Sequence, residues 1–264
     1  MLDALRTRLQ QKHRTMRYPD GPPPELPAGF AGRPVISQEN LSSQDCAACT
    51  AACPTGALSV EQSGHNQPAV SLDMGKCLFC GHCQKACKDG AITFSKGYQL
   101  AAARREDLIV RPGPDRIAPA KNELAAKLFS RSLKLRQVSA GGCNACEADS
   151  NVLGTLAWDM GRFGISFVAS PRHADGLLIT GPVTQNMKLA LQKTYDAVPA
   201  PKIVIAVGAC AIAGGPYIGH AEQCGGAESV LKVDLFVPGC PPNPLTILEA
   251  LLRFLGRIEE PAAS

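Results

Sequence analysis

Aromatic residues are scarce in this chain, at 5% of 264 residues, with a single tryptophan. Long apolar runs are missing too. The longest, such as KIVIAVGACAIAGG at 202–215, fall short of the roughly 20 residues a membrane-spanning helix needs and contain glycine breakers. Excess charge is also lacking: the net value is +4, and beyond the first 17 residues the cations are scattered, so no nucleic-acid partner is expected. The opening stretch MLDALRTRLQQKHRTMRY is basic and amphipathic, with no apolar centre, small-residue cleavage site or twin-arginine signal, so a cytoplasmic chain is expected. What is abundant is cysteine, twelve in all, within a composition that is 45% hydrophobic and long enough for two domains. In a reducing compartment, closely spaced cysteines point to metal rather than to disulfides.

The cysteines repeat. Cys46, Cys49 and Cys53 recur 34 residues later as Cys80, Cys83 and Cys87, and CPTGAL at 53–58 answers CKDGAI at 87–92. The same offset maps Cys77 onto Ser43. The second copy is therefore a complete C-x2-C-x2-C-x3-C, while the first begins with serine. Thiolates at i, i+3 and i+6 on one tight loop can wrap a face of an iron–sulfur cube, leaving a fourth ligand to come from elsewhere. A zinc site would favour two-plus-two ligand sets instead.

This pattern resembles the bacterial two-cluster ferredoxins, in which the fourth cysteine of each copy serves the other cluster. The resemblance implies one cluster on Cys77, Cys80, Cys83 and Cys53, and another on Cys46, Cys49 and Cys87 with Ser43 in the fourth corner. Serine is a harder, more basic ligand than thiolate. That corner leaves three outcomes open: a four-iron cluster with an oxygen or exogenous ligand, a 3Fe-4S cluster, or a lost cluster.

Around this repeat, residues 1–40 are expected as an arm. Its first 17 residues suit a short amphipathic helix with Leu2, Leu5 and Leu9 on one side, fit for docking to a partner. Its proline-rich part, 18–34, should run extended. The ferredoxin-like domain is expected over 41–98. A linker and helix over 99–132 would follow, with Leu124, Ala125, Leu128 and Phe129 on one helical face.

From residue 133 to 264 the pattern becomes alternating α/β. Strands are expected at 133–139, 165–170, 176–180, 202–207 and 233–237. Helices are expected over NVLGTLAWDMGRFG, with Val152, Leu153, Leu156, Ala157 and Met160 on one face and Trp158 and Phe163 in the core, and over TQNMKLALQKTYDAV. The last helix has Asn243 as cap, Pro244 in its first turn and Gly256 at its end. Cys143 and Cys146 follow the first strand, Cys210 the fourth and Cys240 the fifth. In an open parallel sheet, loops at the carboxyl ends of strands converge on one crevice, so these four thiols can close one four-coordinate site. Gly141, Gly142, Gly208 and Gly239 beside them allow close backbone approach. Cys224 follows no comparable strand and reads as a free thiol.

The stretches GGCNACE, RFGISFVASPRHADGLLITGPVT, VGACAIAGG and VPGCPPNPLTILEALL resemble the small electron-transfer subunit shared by membrane-bound nickel–iron hydrogenases and respiratory complex I. The resemblance implies a flavodoxin-like α/β fold, preceded here by a small α+β ferredoxin domain, with a 4Fe-4S cluster on Cys143, Cys146, Cys210 and Cys240 nearest a catalytic partner. Complex I subunits carry two adjacent cysteines where this chain has C-x2-C, so CNAC is similar to the hydrogenase branch. With a ferredoxin segment fused ahead, the chain resembles the electron-input polypeptides of formate hydrogenlyase-type complexes.

The implied role is electron transfer through two to three clusters at the cytoplasmic face of a membrane. The implied partners are a large catalytic subunit, membrane subunits and an external electron donor or acceptor. A complex I-type quinone reductase subunit and a stand-alone iron–sulfur sensor or scaffold are the alternatives. Glu147, beside Cys146, and His173, with Arg172 in the loop SPRHAD, are candidates for coupling protons to electron flow. Arg162 reads as an interface or helix-end charge.

Overall fold

The computed structural model describes residues 2–12, 14–37, 43–62, 68–87, 90–114 and 116–259, with the side chains of 43–46, 61–62 and 68–69 outside the description. In chain order the elements are α1 (Leu2–Gln11), β1 (Pro34–Ile36), α2 (Ser43–Ala51), β2 (Leu58–Gln62), β3 (Pro68–Asp73), α3 (His82–Ala86) and β4 (Ile92–Phe94). A 3₁₀ turn at Arg105–Leu108 leads into β5 (Ile109–Val110) and α4 (Glu123–Phe129). Then come β6 (Leu133–Ser139), α5 (Ala145–Val152), β7 (Ile165–Phe167), β8 (Gly176–Thr180) and α6 (Gln185–Asp196). The chain closes with β9 (Ile203–Val207), α7 (Ala209–Ala213), β10 (Leu235–Val237) and α8 (Pro244–Phe254).

The second half is a five-stranded parallel sheet in the order β10-β9-β8-β6-β7. Numbered within the sheet, this is the doubly wound 2-1-3-4-5 order of flavodoxin-like folds. Every residue of β8 and β9 is buried, as continuous Gly-Leu-Leu-Ile-Thr and Ile-Val-Ile-Ala-Val runs require when both faces are covered. α8 is capped by Asn243, whose Oδ1 accepts from Leu245 N at 2.9 Å, and every residue from Leu245 to Phe254 is buried.

The first half is α+β. β1 pairs antiparallel with β4, and β2-β3-β5 form a second antiparallel sheet. The pairing of β5 with β3 carries this sheet past residue 98. Residues 99–110, read as linker, are firmly held instead: Leu100, Ala101, Ala102 and Leu108 are all buried. One apolar cluster runs through both halves, joining Leu72, Met74 and Cys77 to Ile212 and Phe236.

Several local expectations are corrected. The helix after the Cys143 motif ends at Val152 instead of running across 151–164, and turns follow to Asp159, which takes a left-handed φ of 45°. Gly154 breaks the pattern, and Leu156 is left 71% exposed. Trp158 and Phe163 pack only at the edge of the core. On α4, Ala125 and Phe129 are buried but Leu124 and Leu128 are exposed, because seven residues bury one narrow stripe. Leu2, Leu5 and Leu9 are exposed on α1. Among the described residues, no helix is long and apolar enough to cross a membrane.

Candidate iron–sulfur sites

Cys53, Cys77, Cys80 and Cys83 line one pocket, with Thr55 and Phe94 among its other walls. Cys77 and Cys80 sit on an irregular loop because Phe79 (φ 53°) and Gly81 (φ 70°) take left-handed conformations that stop a helix from starting before His82. The backbone aims donors at sulfur: Phe79 N to Cys77 Sγ at 3.3 Å and Ala57 N to Cys53 Sγ at 3.2 Å. Burial pushes the Cys77 thiol up to about 12, with repulsion from Cys83, Cys53 and Cys80 adding to it. Cys83 is pushed up to about 11 by burial and by the thiolates of Cys53 and Cys80. Burial also raises Cys53, but N–H donors of Thr55, Ala57 and Leu58 outweigh it and hold this thiol below the ordinary value.

The first repeat copy is built differently. Where a wrapping loop was expected, α2 runs unbroken from Ser43 to Ala51. Its Ala47, Ala48 and Ala51 favour helix, and no residue at the positions of Phe79 and Gly81 interrupts it. Cys49 and Cys87 are both buried in the same core, while the side chains of Ser43 and Cys46 lie outside the described residues.

At the carboxyl end of the parallel sheet, Cys143, Cys146, Cys210 and Cys240 come from the segments after β6, β9 and β10, with Cys146 and Cys210 in the first turns of α5 and α7. Burial raises Cys146 strongly, and the thiolates of Cys210, Cys240 and Cys143 and the carboxylate of Glu147 raise it further. Cys210 is pushed up to about 11 by burial and then by Cys240 and Cys143. Burial also raises Cys240, helped by Cys143 and by Cys80 of the other pocket. The two thiol sets meet at a seam where Gly75, two residues before Cys77, packs against Ile212, two residues after Cys210. Cys80, Cys143 and Cys240 are exposed along it. The Cys210 and Cys240 loops are tied by Ala209 N to Gly239 O at 2.8 Å.

Glycine is obligatory here. A Cβ on Gly208 (φ 91°) would stand 2.5 Å from Cys146 Sγ, and one on Gly215 (φ 58°) 2.5 Å from Cys210 Sγ. Gly215 went unnoticed in the sequence because it lies five residues after its cysteine. Thr180 was missed as well: fully buried at the end of β8, it donates from Oγ1 to Glu147 Oε1 at 2.7 Å. Glu147 is buried, whereas Arg172 and His173 are exposed and form no ion pair among the described residues. Arg162 donates to the carbonyls of Met16 and Tyr18, anchoring the N-terminal arm. Cys224 is half-buried, and its backbone N donates to Val183 O at 2.9 Å.

Among the described residues, no three His, Cys, Asp or Glu side chains close to the spacing of a single bound metal ion. Both four-thiol sets do fit a multi-iron cluster. Each supplies four soft sulfur donors, and at the Cys143 set Gly208 and Gly215 leave room beside sulfur. Two such sets on one seam are the equipment of an iron–sulfur electron-transfer protein.

Residues 143–254 match the family described as NADH ubiquinone oxidoreductase, 20 Kd subunit, and the chain belongs to that family; residues 44–91 match the 4Fe-4S dicluster domain. Formate hydrogenlyase subunit 7 of Escherichia coli (strain K12) is 41% identical over 148 residues, 54% of this chain and 56% of that one. The Pyrococcus furiosus protein named as membrane-bound hydrogenase subunit mbhJ is 39% identical over 132 residues, 50% of this chain and 79% of its own. An NADH-quinone oxidoreductase subunit of Heliobacterium modesticaldum is 39% identical over 124 residues, 47% and 71% of the two chains. The chain thus spans little more than half the length of the formate hydrogenlyase subunit.

Proposed function

We propose that this chain relays electrons within a membrane-associated oxidoreductase complex of the nickel–iron hydrogenase kind, at the cytoplasmic face, beside a separate large catalytic subunit. The observation that carries this reading is the seam, where Gly75, two residues before Cys77, packs against Ile212, two residues after Cys210, so that the two thiol sets lie on neighbouring segments. In this reading Cys53, Cys77, Cys80 and Cys83 hold one 4Fe-4S cluster, and Cys143, Cys146, Cys210 and Cys240 hold a second. Bound there, the clusters supply one-electron transfer between an external donor or acceptor and the large subunit. The chain's own residues position the clusters, donate hydrogen bonds to sulfur and set the local dielectric.

Cys46, Cys49 and Cys87 with Ser43 form a third site, and a 3Fe-4S centre is the form that needs no fourth thiolate. Glu147, buried against Thr180 beside Cys146, is the group we assign to proton coupling. His173 is exposed, and among the described residues its side chain has no hydrogen bond or ion pair that supports the same role.

The C-x2-C spacing of Cys143 and Cys146, together with the hydrogenase names of two relatives, favours a hydrogenase-like partner. The resemblance to the NADH-quinone oxidoreductase relative favours a quinone reductase as the second reading. Anaerobic affinity purification from the native host separates them. We expect a large subunit containing nickel, together with membrane proteins, to come with the chain. A nickel-free large subunit would favour the quinone reductase, and a chain that purifies alone would contradict both and leave a sensor or scaffold.

A further inference from the structure

Residues 102–110 bond to the strands leading into both thiol sets at matching places. Ala102 exchanges two backbone hydrogen bonds with Phe236 of β10, Ala102 N to Phe236 O at 3.1 Å and Phe236 N to Ala102 O at 2.9 Å. Phe236 lies four residues before Cys240. At the other end, Ile109 and Val110 pair with Asp73 and Leu72 of β3, and Met74 N donates to Leu108 O at 3.0 Å. Asp73 lies four residues before Cys77.

Between these anchors, Arg105 grips Asp73 with both arms of its fork, Nη1 to Oδ1 at 2.8 Å and Nη2 to Oδ2 at 2.6 Å. Their side chains are only 21% and 17% exposed, so the pair is largely shielded from water. Asp73 in turn builds the Cys77 turn: its Oδ1 accepts from Gly75 N at 2.8 Å and its carbonyl from Cys77 N at 3.0 Å. Gly75 is where the other set arrives. A Cβ there would meet Ile212 Cγ2 at 2.7 Å and Arg105 Cζ at 2.8 Å. Ile212 lies on α7, two residues after Cys210.

We propose that residues 102–110 act as a splint that fixes the separation of the two thiol sets. Arg105 is its positioning residue, and Gly75 is the gap that admits Ile212. The proposal rests on the reading that both sets hold clusters. The segment is hydrogen-bonded to the strand that delivers Cys240 and to the strand that delivers Cys77, and its guanidinium is wedged against the turn on which Ile212 rests. Without that clamp the Cys77 loop and α7 lose their shared stop, although no cluster ligand is altered. Lysine cannot replace the fork, since it offers one point of charge.

The test uses the full-length protein, isolated anaerobically with its clusters, and compares it with Arg105→Met and Arg105→Lys. Iron and sulfide content, and the electron paramagnetic resonance signal of each cluster reduced singly, should match the parent. The magnetic splitting seen with both clusters reduced should be lost in Arg105→Met and diminished in Arg105→Lys. Unchanged splitting in a fully loaded Arg105→Met protein would overturn the splint. Should that variant fail to load iron, Gly75→Ala is read instead; it keeps the ion pair's charges and forces Ile212 and Arg105 away. Loss of splitting there supports the splint and unchanged splitting overturns it. Two loaded but magnetically isolated clusters in the parent would refute the splint while leaving the cluster reading intact. A parent with no iron at either set would refute both.

Discussion

Cys53 belongs by sequence to the first cysteine motif and by position to the second. Its thiolate repels Cys77 and Cys83, and all three share a pocket with Cys80. Cys87 belongs to the second motif yet lies outside that pocket. Replacing Cys53 with alanine should therefore remove about four irons, those of one cubane, whereas Cys87→Ala should leave the same four in place. Iron analysis paired with electron paramagnetic resonance measures both, and the reverse pattern would show that each motif serves its own cluster. The same scale explains why Gly208 carries more information than most glycines. Its value lies in the 2.5 Å a side chain would leave to Cys146 Sγ, and sequence alone could mark it only as a neighbour of Cys210.

The two halves of the repeat fold into unlike elements, and the cause is local. Phe79 and Gly81, both at positive φ, keep the second motif open as a loop, while the alanines of the first let α2 run through it. A helix carrying serine in place of the first ligand suits a three-thiolate centre. Ser43→Cys should then convert a three-iron resonance signal into a four-iron one. An unchanged spectrum would count against Ser43 as the vacant corner. Strand positions were legible because buried parallel strands read as unbroken apolar runs; 133–139 and 176–180 match β6 and β8 end to end. The helix expected across 151–164 was misread because Leu156 and Met160 kept helical spacing beyond the turn at Gly154. Periodicity does not reveal where a helix stops.

Across the whole molecule, the sequence presents two cysteine-rich halves joined by a stretch, 99–132, that reads as linker and helix. Folding makes them one body. Leu72, Met74 and Cys77 share a core with Ile212 and Phe236, and buried Arg253 on α8 donates to the carbonyls of Ala101 and Ala118. Nothing in residues 99–120 advertised this, because its anchors are backbone pairs and one arginine fork whose partners lie far off in sequence. What was legible was the chemistry, since cysteine spacing is local. What was hidden was the seam at Gly75 and Ile212, which exists only once both halves dock. All of this rests on folding gathering thiols from distant segments into iron–sulfur clusters. Mössbauer spectroscopy of the anaerobically isolated, iron-57-labelled chain tests it most directly. Sulfur-coordinated iron in cubane clusters is expected, about eight irons per chain from the two complete thiol sets, with about three more from a 3Fe-4S centre on Cys46, Cys49 and Cys87. A chain that instead carried zinc, or showed no cubane iron at all, would contradict it.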